Sequence, residues 1–515
     1  MKSRQLIPIL SLGLVASAAL ATAEAVRPVN PETSVEARAL LQVLYDISGK
    51  YTLTGQHNYP NARARNSEFV QRYLGETPAV YSQDFGFAED GDKDSYLARP
   101  DIVDEVKRQH RLGSLIALCW HAVPPTADEP VVFSRGPGGG TAPSGDLASV
   151  QGQLTDEQFR DVLTPGTPLH ERWTQQVDVI AGFLQQLEDA NVPVLWRPYH
   201  EMNGNWFWWG ARVGEHSTAA LYRQIYDRLV NHHGLDNLVW VWSVDRPGDN
   251  SLDFESVYPG DEYVDVVSLD VYGRDFAQSY YEDLVALAKG KPLVLGEVGN
   301  PPTPEILGRQ PGWTMWVVWA GMARGTSRAE YETLLDDPRV LSLEDEAYWN
   351  AIAPLREAAG LPADDSRLIH RDEDGNRVDF SGFWLIDEEK SDQGGPGAPA
   401  HILEINQRGD TLVVKRTRLS EYEDGDVTRE TVRLDGSESH STFMGAPKVT
   451  TAGWGKDGGA IEIESTVTFN FGGNEMKIPS SESWSLLLGG HYLTIERTST
   501  SPRGKTTSTA VYERR

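Results

Sequence analysis

Trp196-Arg197-Pro198-Tyr199-His200-Glu201-Met202-Asn203-Gly204-Asn205-Trp206-Phe207-Trp208-Trp209-Gly210 follows directly on the short apolar run Val192-Pro193-Val194-Leu195. The apolar run reads as a strand. The residues after it show neither the 3.6-residue period of a helix nor the alternation of a half-buried strand, so a loop at the end of a strand is expected here. Its residue types give it chemistry. Indole and phenol rings offer flat apolar faces with a polar handle, while Arg, His and Glu supply directed hydrogen bonds and proton transfer. That combination suits a carbohydrate cleft with Glu201 in it.

Working outward, the same unit recurs. Short apolar runs at 51–55, 79–82, 114–121, 192–197, 238–243, 264–269, 291–297 and 314–320 read as strands, and stretches such as 35–48, 100–111, 169–190 and 221–232 read as helices. Eight such βα repeats predict a parallel (β/α)₈ TIM barrel over residues 26–360, with its site at the carboxyl edge of the strands. The segment 123–164, rich in Pro, Gly, Ser and Asp, leaves that same edge and is long enough to be a functional loop. Residues 361–378 read as a linker. From 379 to 515 helical periodicity gives way to alternation, and about eight short strands joined by Gly, Asp and Asn turns predict a smaller all-β antiparallel barrel. Trp454 and Trp484 in that part read as packing residues.

The chain has 515 residues and a formal charge of −28. Such a chain repels phosphate backbones, which argues against nucleic acid or an anionic membrane surface as partner and favours an uncharged substrate. Lys2 and Arg4 precede an apolar run that ends in small residues near Ala25, the pattern of a signal peptide over residues 1–25, so a secreted or periplasmic protein is expected. The only cysteine, Cys119, cannot form a disulfide within one chain, and stability must come from large cores. The His, Asp and Glu residues show no metal-ligand spacing, and residues 136–140 lack the strand and helix context of a phosphate loop. Neither metal nor cofactor is expected.

Two carboxylates stand out by position: Glu201 just past the fourth strand and Glu297 at the end of the seventh. Cleavage of a glycosidic bond needs one carboxylic acid to protonate the leaving oxygen and one carboxylate to attack the anomeric carbon or direct water to it.

On these residues the sequence resembles glycoside hydrolase family 26, the β-mannanase family. The run 196–210 is similar to that family's acid/base signature and Val294-Leu295-Gly296-Glu297 to its nucleophile strand, with Trp120-His121-Ala122, Val271-Tyr272-Gly273 and residues 316–319 as supporting elements. The resemblance covers residues 35–358. It implies that Glu201 is the acid/base and Glu297 the nucleophile. It further implies that His121, Arg197, His200, Trp206, Tyr272 and Trp319 bind substrate, with Arg197 the cation beside Glu297 and Tyr272 its hydrogen-bond donor. His121 and His200 would orient the carboxylates, and Trp206 and Trp319 would stack on the sugar. Gln56, His57, Asn58 and Asp84 lie at the same edge, where sugars farther from the point of cleavage would be met. The C-terminal part resembles a lipocalin-like module. The expectation is a secreted, monomeric, retaining endo-β-1,4-mannanase acting on mannan, glucomannan or galactomannan, with its carboxyl groups about 5–5.5 Å apart. The alternatives are a β-1,3-1,4-glucanase or β-1,3-xylanase of the same family, or a non-catalytic glycan-binding protein.

Overall fold

The computed structural model describes residues 26–514 except 87–94, 133–147, 152–153, 249–250, 364–376, 389, 393–398, 419–425, 456–457, 472–473, 488–489, 491 and 502–503. The expected signal peptide, most of the expected linker and the glycine-rich run at 136–140 lie outside the described residues. Among the described residues, no helix is long and apolar enough to cross a membrane.

Eight parallel strands close into a barrel: β1 (Gly55–Asn58), β2 (Val80–Asp84), β3 (Leu115–Trp120), β4 (Val194–Pro198), β5 (Leu238–Asp245), β6 (Val266–Val271), β7 (Leu293–Val298) and β8 (Trp313–Val318). Each pairs with the next, and β8 returns to β1 with Val318 opposite Gln56. The helices between them start where the sequence supplies caps. Ser34 accepts from the Ala37 amide to open α1 (Val35–Ile47). Thr167 does the same for the long helix Pro168–Glu188, whose first turn carries Pro168.

The strand interior decides where a site can form. Leu195 of β4, Val239 of β5, Val266 of β6 and Val294 of β7 share one buried cluster with Leu40 and Leu44 of α1 and Tyr348 and Ile352 of the last barrel helix, Glu346–Ala358. Their strand neighbours Trp196, Trp240, Val267 and Leu295 belong to the other cluster, between strands and helices. Side chains alternate along a strand with period two, so the inward set continues toward the carboxyl edge as Arg197, Ser243, Ser268 and Asp270, all buried. Glu297 joins this set through a register irregularity between Leu295 and Glu297. The barrel thus has an apolar floor and a polar upper layer. Gly296 makes that layer possible. A Cβ at this position would stand 2.3 Å from Ser268 Oγ and 3.2 Å from Arg197 Cδ, so glycine leaves the room through which the arginine crosses the barrel.

The second unit is a ten-stranded antiparallel sheet that nearly closes on itself: β9 (Gly382–Ile386), β10 (Ile402–Arg408), β11 (Thr411–Arg418), β12 (Asp426–Arg433), β13 (Ser439–Phe443), β14 (Ala446–Trp454), β15 (Ala460–Phe471), β16 (Asn474–Leu487), β17 (Tyr492–Ser501) and β18 (Gly504–Arg514). The edge strands β12 and β13 meet through side chains: the Arg433 amide donates to Ser439 Oγ (3.0 Å) and Ser441 Oγ to Glu430 (2.9 Å). The expected eight strands fall short by the hairpin β13–β14. Ser439-His440-Ser441-Thr442-Phe443 carries a single large apolar residue, and Pro447 and Gly453 interrupt its partner, so alternation is hidden there. Trp384 and Trp484 are fully buried in the core of this unit, beside Val378 and Phe380. The two units touch where Glu68 of the helix Arg65–Leu74 accepts from the Tyr492 hydroxyl (3.3 Å) and the Lys390 ammonium (3.4 Å).

Gly296→Ala is expected to destabilise the protein by about 1–3 kcal/mol through overpacking. Ser268→Ala in the same chain removes the nearest obstructing atom and should recover part of that loss. Denaturant midpoints of wild type, both single variants and the double variant measure the coupling; strictly additive effects would contradict the proposed steric contact.

Candidate active site

After Pro198 the chain leaves β4 in a turn that places both Tyr199 (φ +50°) and Glu201 (φ +52°) in the left-handed region. Each costs about 1–3 kcal/mol and needs surroundings that fix it. Those surroundings are the loop's own aromatics. Trp209 Nε1 donates to the His200 carbonyl (2.9 Å) and Trp208 Nε1 to the Ala122 carbonyl (2.8 Å). Phe207 stacks on Trp209, centroids 4.4 Å apart. Asn203 clamps the end of β5, donating to the Asp245 carbonyl and accepting from its amide, both at 2.8 Å. Most of this aromatic run, expected to face sugar, is instead turned into the protein. Trp196, Phe207, Trp208 and Trp209 are buried, and among these aromatics only Trp206 reaches the surface of the cleft.

Trp206 donates its Nε1 hydrogen to Glu201 Oε2. Across the barrel mouth, Glu297 is held on both oxygens: Arg197 Nη2 donates to Oε1 and the Tyr272 hydroxyl to Oε2 (2.7 Å). The other guanidinium nitrogen of Arg197 donates to Asp270 Oδ2 (2.8 Å) and Ser243 Oγ (3.3 Å). One carboxylate oxygen each of Glu201, Asp270 and Glu297 lie within 4.8 Å of one another. Glu201 is 7% exposed and Glu297 3%, so this is a nearly dry site that opens at one face.

Three buried carboxyl groups face one guanidinium, and protons follow from that imbalance. Burial, then the charges of Glu297, Asp270 and Asp245, push the Glu201 carboxyl well above the ordinary carboxylate range, and the Trp206 hydrogen bond offsets only part of this. Burial likewise raises Asp270, with Arg197 opposing and Glu297 adding. Burial raises Asp245 to about 7 against the pull of Arg246. Burial disfavours the charge on Arg197 too, yet Asp270 and Glu297 outweigh it and keep the guanidinium cationic.

The expected residues come together, with corrections to their partners. His200 Nε2 stands 3.6 Å from Glu297 Oε1, too far for a hydrogen bond. Burial, followed by the charges of His121, Arg197 and His57, holds that ring neutral. His121 bonds Asp84 through its Nδ1, and its ring meets His200 edge-on at 4.3 Å. Burial alone would raise Asp84, but the charge and hydrogen bond of His121 keep it below the usual range. Trp319 covers His57, ring centroids 3.9 Å apart, and lies 8% exposed beside Tyr59 and Tyr272.

Gln56, His57, Asn58 and Asp84 are buried, and each makes an internal hydrogen bond, while Gln56 Oε1 and His57 Nε2 have no hydrogen-bond partner among the described residues. Gln56 Nε2 donates to the carbonyls of His57, Val318 and Ala320, and Asn58 Oδ1 accepts from the amides of Asn66 and Ser67. Asp270, Ser243 and Asn203 are site residues that sequence reasoning missed. A signal for Asp270 existed: it stands two residues before Tyr272, the spacing that brings alternate side chains of an extended chain to one side. Folding also gathers two groups with the atoms to bind a cation, His57 with Asp84 and Cys119, and Glu201 with Asp270 and Glu297. In the second, Arg197 already pairs with two of the three carboxyls.

The model of glycosyl hydrolase family 26 matches residues 29–342. A mannan endo-1,4-beta-mannosidase of Thermothelomyces thermophilus is 34% identical over 338 residues, which cover 62% of this chain and 63% of that protein, just under two thirds of its length. The structure of GH26A from Muricauda sp. MAR_2010_75 matches with 38% identity and a TM-score of 0.55, over 61% of this chain and 98% of that one. A β-mannanase from a symbiotic protist of the termite Reticulitermes speratus, solved with a gluco-manno-oligosaccharide, matches with 27% identity and a TM-score of 0.51, over 62% of this chain and 96% of that one.

A carboxyl whose pKa rises on folding costs stability once the unfolded chain would ionise it: nothing is lost at low pH, and the cost grows as pH climbs from about 4.5 toward the raised value. Glu201→Gln keeps an acceptor for Trp206 and removes that cost. The variant should melt above wild type at pH 7 to 8, with the gap closing toward pH 4; a gap independent of pH would contradict the raised carboxyl.

Proposed function

Because this chain belongs to glycoside hydrolase family 26, we propose that it is a retaining endo-β-1,4-mannanase that cleaves mannan, glucomannan or galactomannan by double displacement. The observation that carries this reading is the unequal treatment of two neighbouring carboxyls. Glu297 is held by one cation and one hydroxyl donor, while Glu201 is buried beside negative charge and raised in pKa. Their oxygens within 4.8 Å support the short separation of retaining enzymes, about 5–5.5 Å between carboxyl groups, over the 6.5–9.5 Å that leaves room for an inverting water.

In the first step a Glu297 oxygen forms a bond to the anomeric carbon as the glycosidic bond breaks, and the Glu201 proton passes to the departing oxygen. Arg197 and Tyr272 hold the attacking carboxylate in line without leaving their positions. In the second step Glu201, now ionised, takes a proton from water as the water oxygen displaces Glu297 from the anomeric carbon. Trp206, donating to Glu201, would fix its orientation through both steps and offer its ring to the sugar, and Trp319 would form the opposite wall. The relatives' mannan and gluco-manno-oligosaccharide support a β-mannan substrate. The basic and then apolar residues at the start of the chain support action outside the cytoplasm.

Release of reducing sugar from galactomannan and glucomannan should be abolished by Glu297→Ala. Glu201→Ala should cost about 10²–10⁴-fold on polysaccharide and far less on an aryl mannoside whose leaving group departs without a proton. Proton NMR of the first-formed product should show the β anomer; an α product or full activity in Glu297→Ala would overturn the mechanism.

A further inference from the structure

The interior of the C-terminal barrel holds a cavity of about 360 Å³, and its lining runs against the character of the chain. The whole protein carries a formal charge of −28. Yet among the described residues Arg416, Arg418, Arg429, Arg497 and Lys448 line this cavity with Glu430 and Glu482, so cationic groups outnumber anionic ones there. Two of the guanidinium groups compete for one carboxylate. Lys448 neutralises Glu430 at 2.7 Å, but Arg416 and Arg497 share the single Glu482 at 3.5 and 3.8 Å. Arg497 Nε is buried with no hydrogen-bond acceptor among the described residues. Arg429 stands exposed on β12. Burial acts to raise both glutamates, but the surrounding cations hold each below the ordinary range, as a positive interior requires.

The remaining lining is rich in hydroxyls, with Thr428, Ser441, Ser480 and Ser508 among them. A cavity whose described lining has more guanidinium groups than carboxylates, with hydroxyls among them, suits a ligand that brings a carboxylate for the first and its own hydroxyls for the second. We propose that the C-terminal barrel is a binding site for a small acidic sugar of the hexuronate type, independent of the cleft in the first barrel.

Isothermal titration of the full chain with sodium glucuronate, mannose and inorganic phosphate tests this. Glucuronate is expected to bind and to lose affinity with added salt, while Arg429→Gln combined with Arg497→Gln weakens it at least tenfold and leaves hydrolysis of mannan unchanged. Arg408→Gln combined with Arg433→Gln removes the same charge from exposed positions outside the cavity and should leave glucuronate affinity as in wild type. Unchanged melting of the cavity variant shows that it folds; if it melts early, glucuronate protection of the wild-type barrel from proteolysis replaces it as the readout. No glucuronate binding, equal loss in both double variants, or phosphate binding as tightly as glucuronate would overturn the proposal.

Discussion

The first barrel is organised around one guanidinium. Arg197 stands inside the ring of strands and bridges Asp270 on β6 to Glu297 on β7. Neither carboxylate nor cation could stay there alone, since removing one partner from a buried ion pair typically costs about 3–5 kcal/mol. Much of the upper barrel serves this pair. Gly296 leaves the space for the arginine stem, Ser243 completes its hydrogen bonds, and the apolar floor of Leu195, Val239, Val266 and Val294 closes the interior beneath it. The pair also sets the protons. With one cation shared between two acids, a third acid placed nearby keeps its proton, and that acid is Glu201.

The turn that presents Glu201 is expensive and is stabilised from behind. Two consecutive odd positions, Tyr199 and Glu201, adopt left-handed backbone that non-glycine residues avoid. The offset comes from buried aromatics: Trp173 Nε1 donates to the Tyr199 hydroxyl (2.8 Å), while Trp208 and Trp209 bond carbonyls and bury their rings. The run of aromatic residues has two jobs that composition cannot separate. Most of it locks the turn, and Trp206 alone reaches from the locked turn to the carboxylate.

How much of this was legible follows from periodicity. The strands announce themselves by short apolar runs, and their ends fix the edge at which Glu201, Glu297, Arg197 and Tyr272 meet, so barrel and central pair could be read from sequence. Asp270 is legible through its two-residue spacing from Tyr272. The loop could not be resolved, because an irregular backbone gives no rule for which of Trp206, Trp208 and Trp209 points outward. Gln56, Asn58 and Asp84 misled for another reason. A polar residue at a strand end satisfies backbone groups as readily as it meets a ligand, and here the carbonyls around β8 take Gln56, the amides of the helix at Arg65–Leu74 take Asn58, and the Gly86 amide and His121 take Asp84. The hairpin β13–β14 was missed because its two-residue alternation carries hydroxyls in place of apolar side chains.

The two barrels show what strand number does to an interior. With eight strands the bore is just wide enough for side chains to fill it, so the first barrel has a solid floor and can place charge only in its upper layer, where the partners sit within bonding distance of one another. With ten strands the bore widens. In the second unit the large residues Trp384, Trp484, Leu403 and Leu412 fill one core, but Arg416, Arg497 and Lys448 extend into space they do not fill. Lys448 still meets Glu430 at 2.7 Å, but Arg416 and Arg497 stand 3.5 and 3.8 Å from Glu482, and Arg497 Nε has no hydrogen-bond acceptor among the described residues. The narrow barrel spends its charges on one another and fixes a geometry; the wide one leaves them available for something that enters from outside.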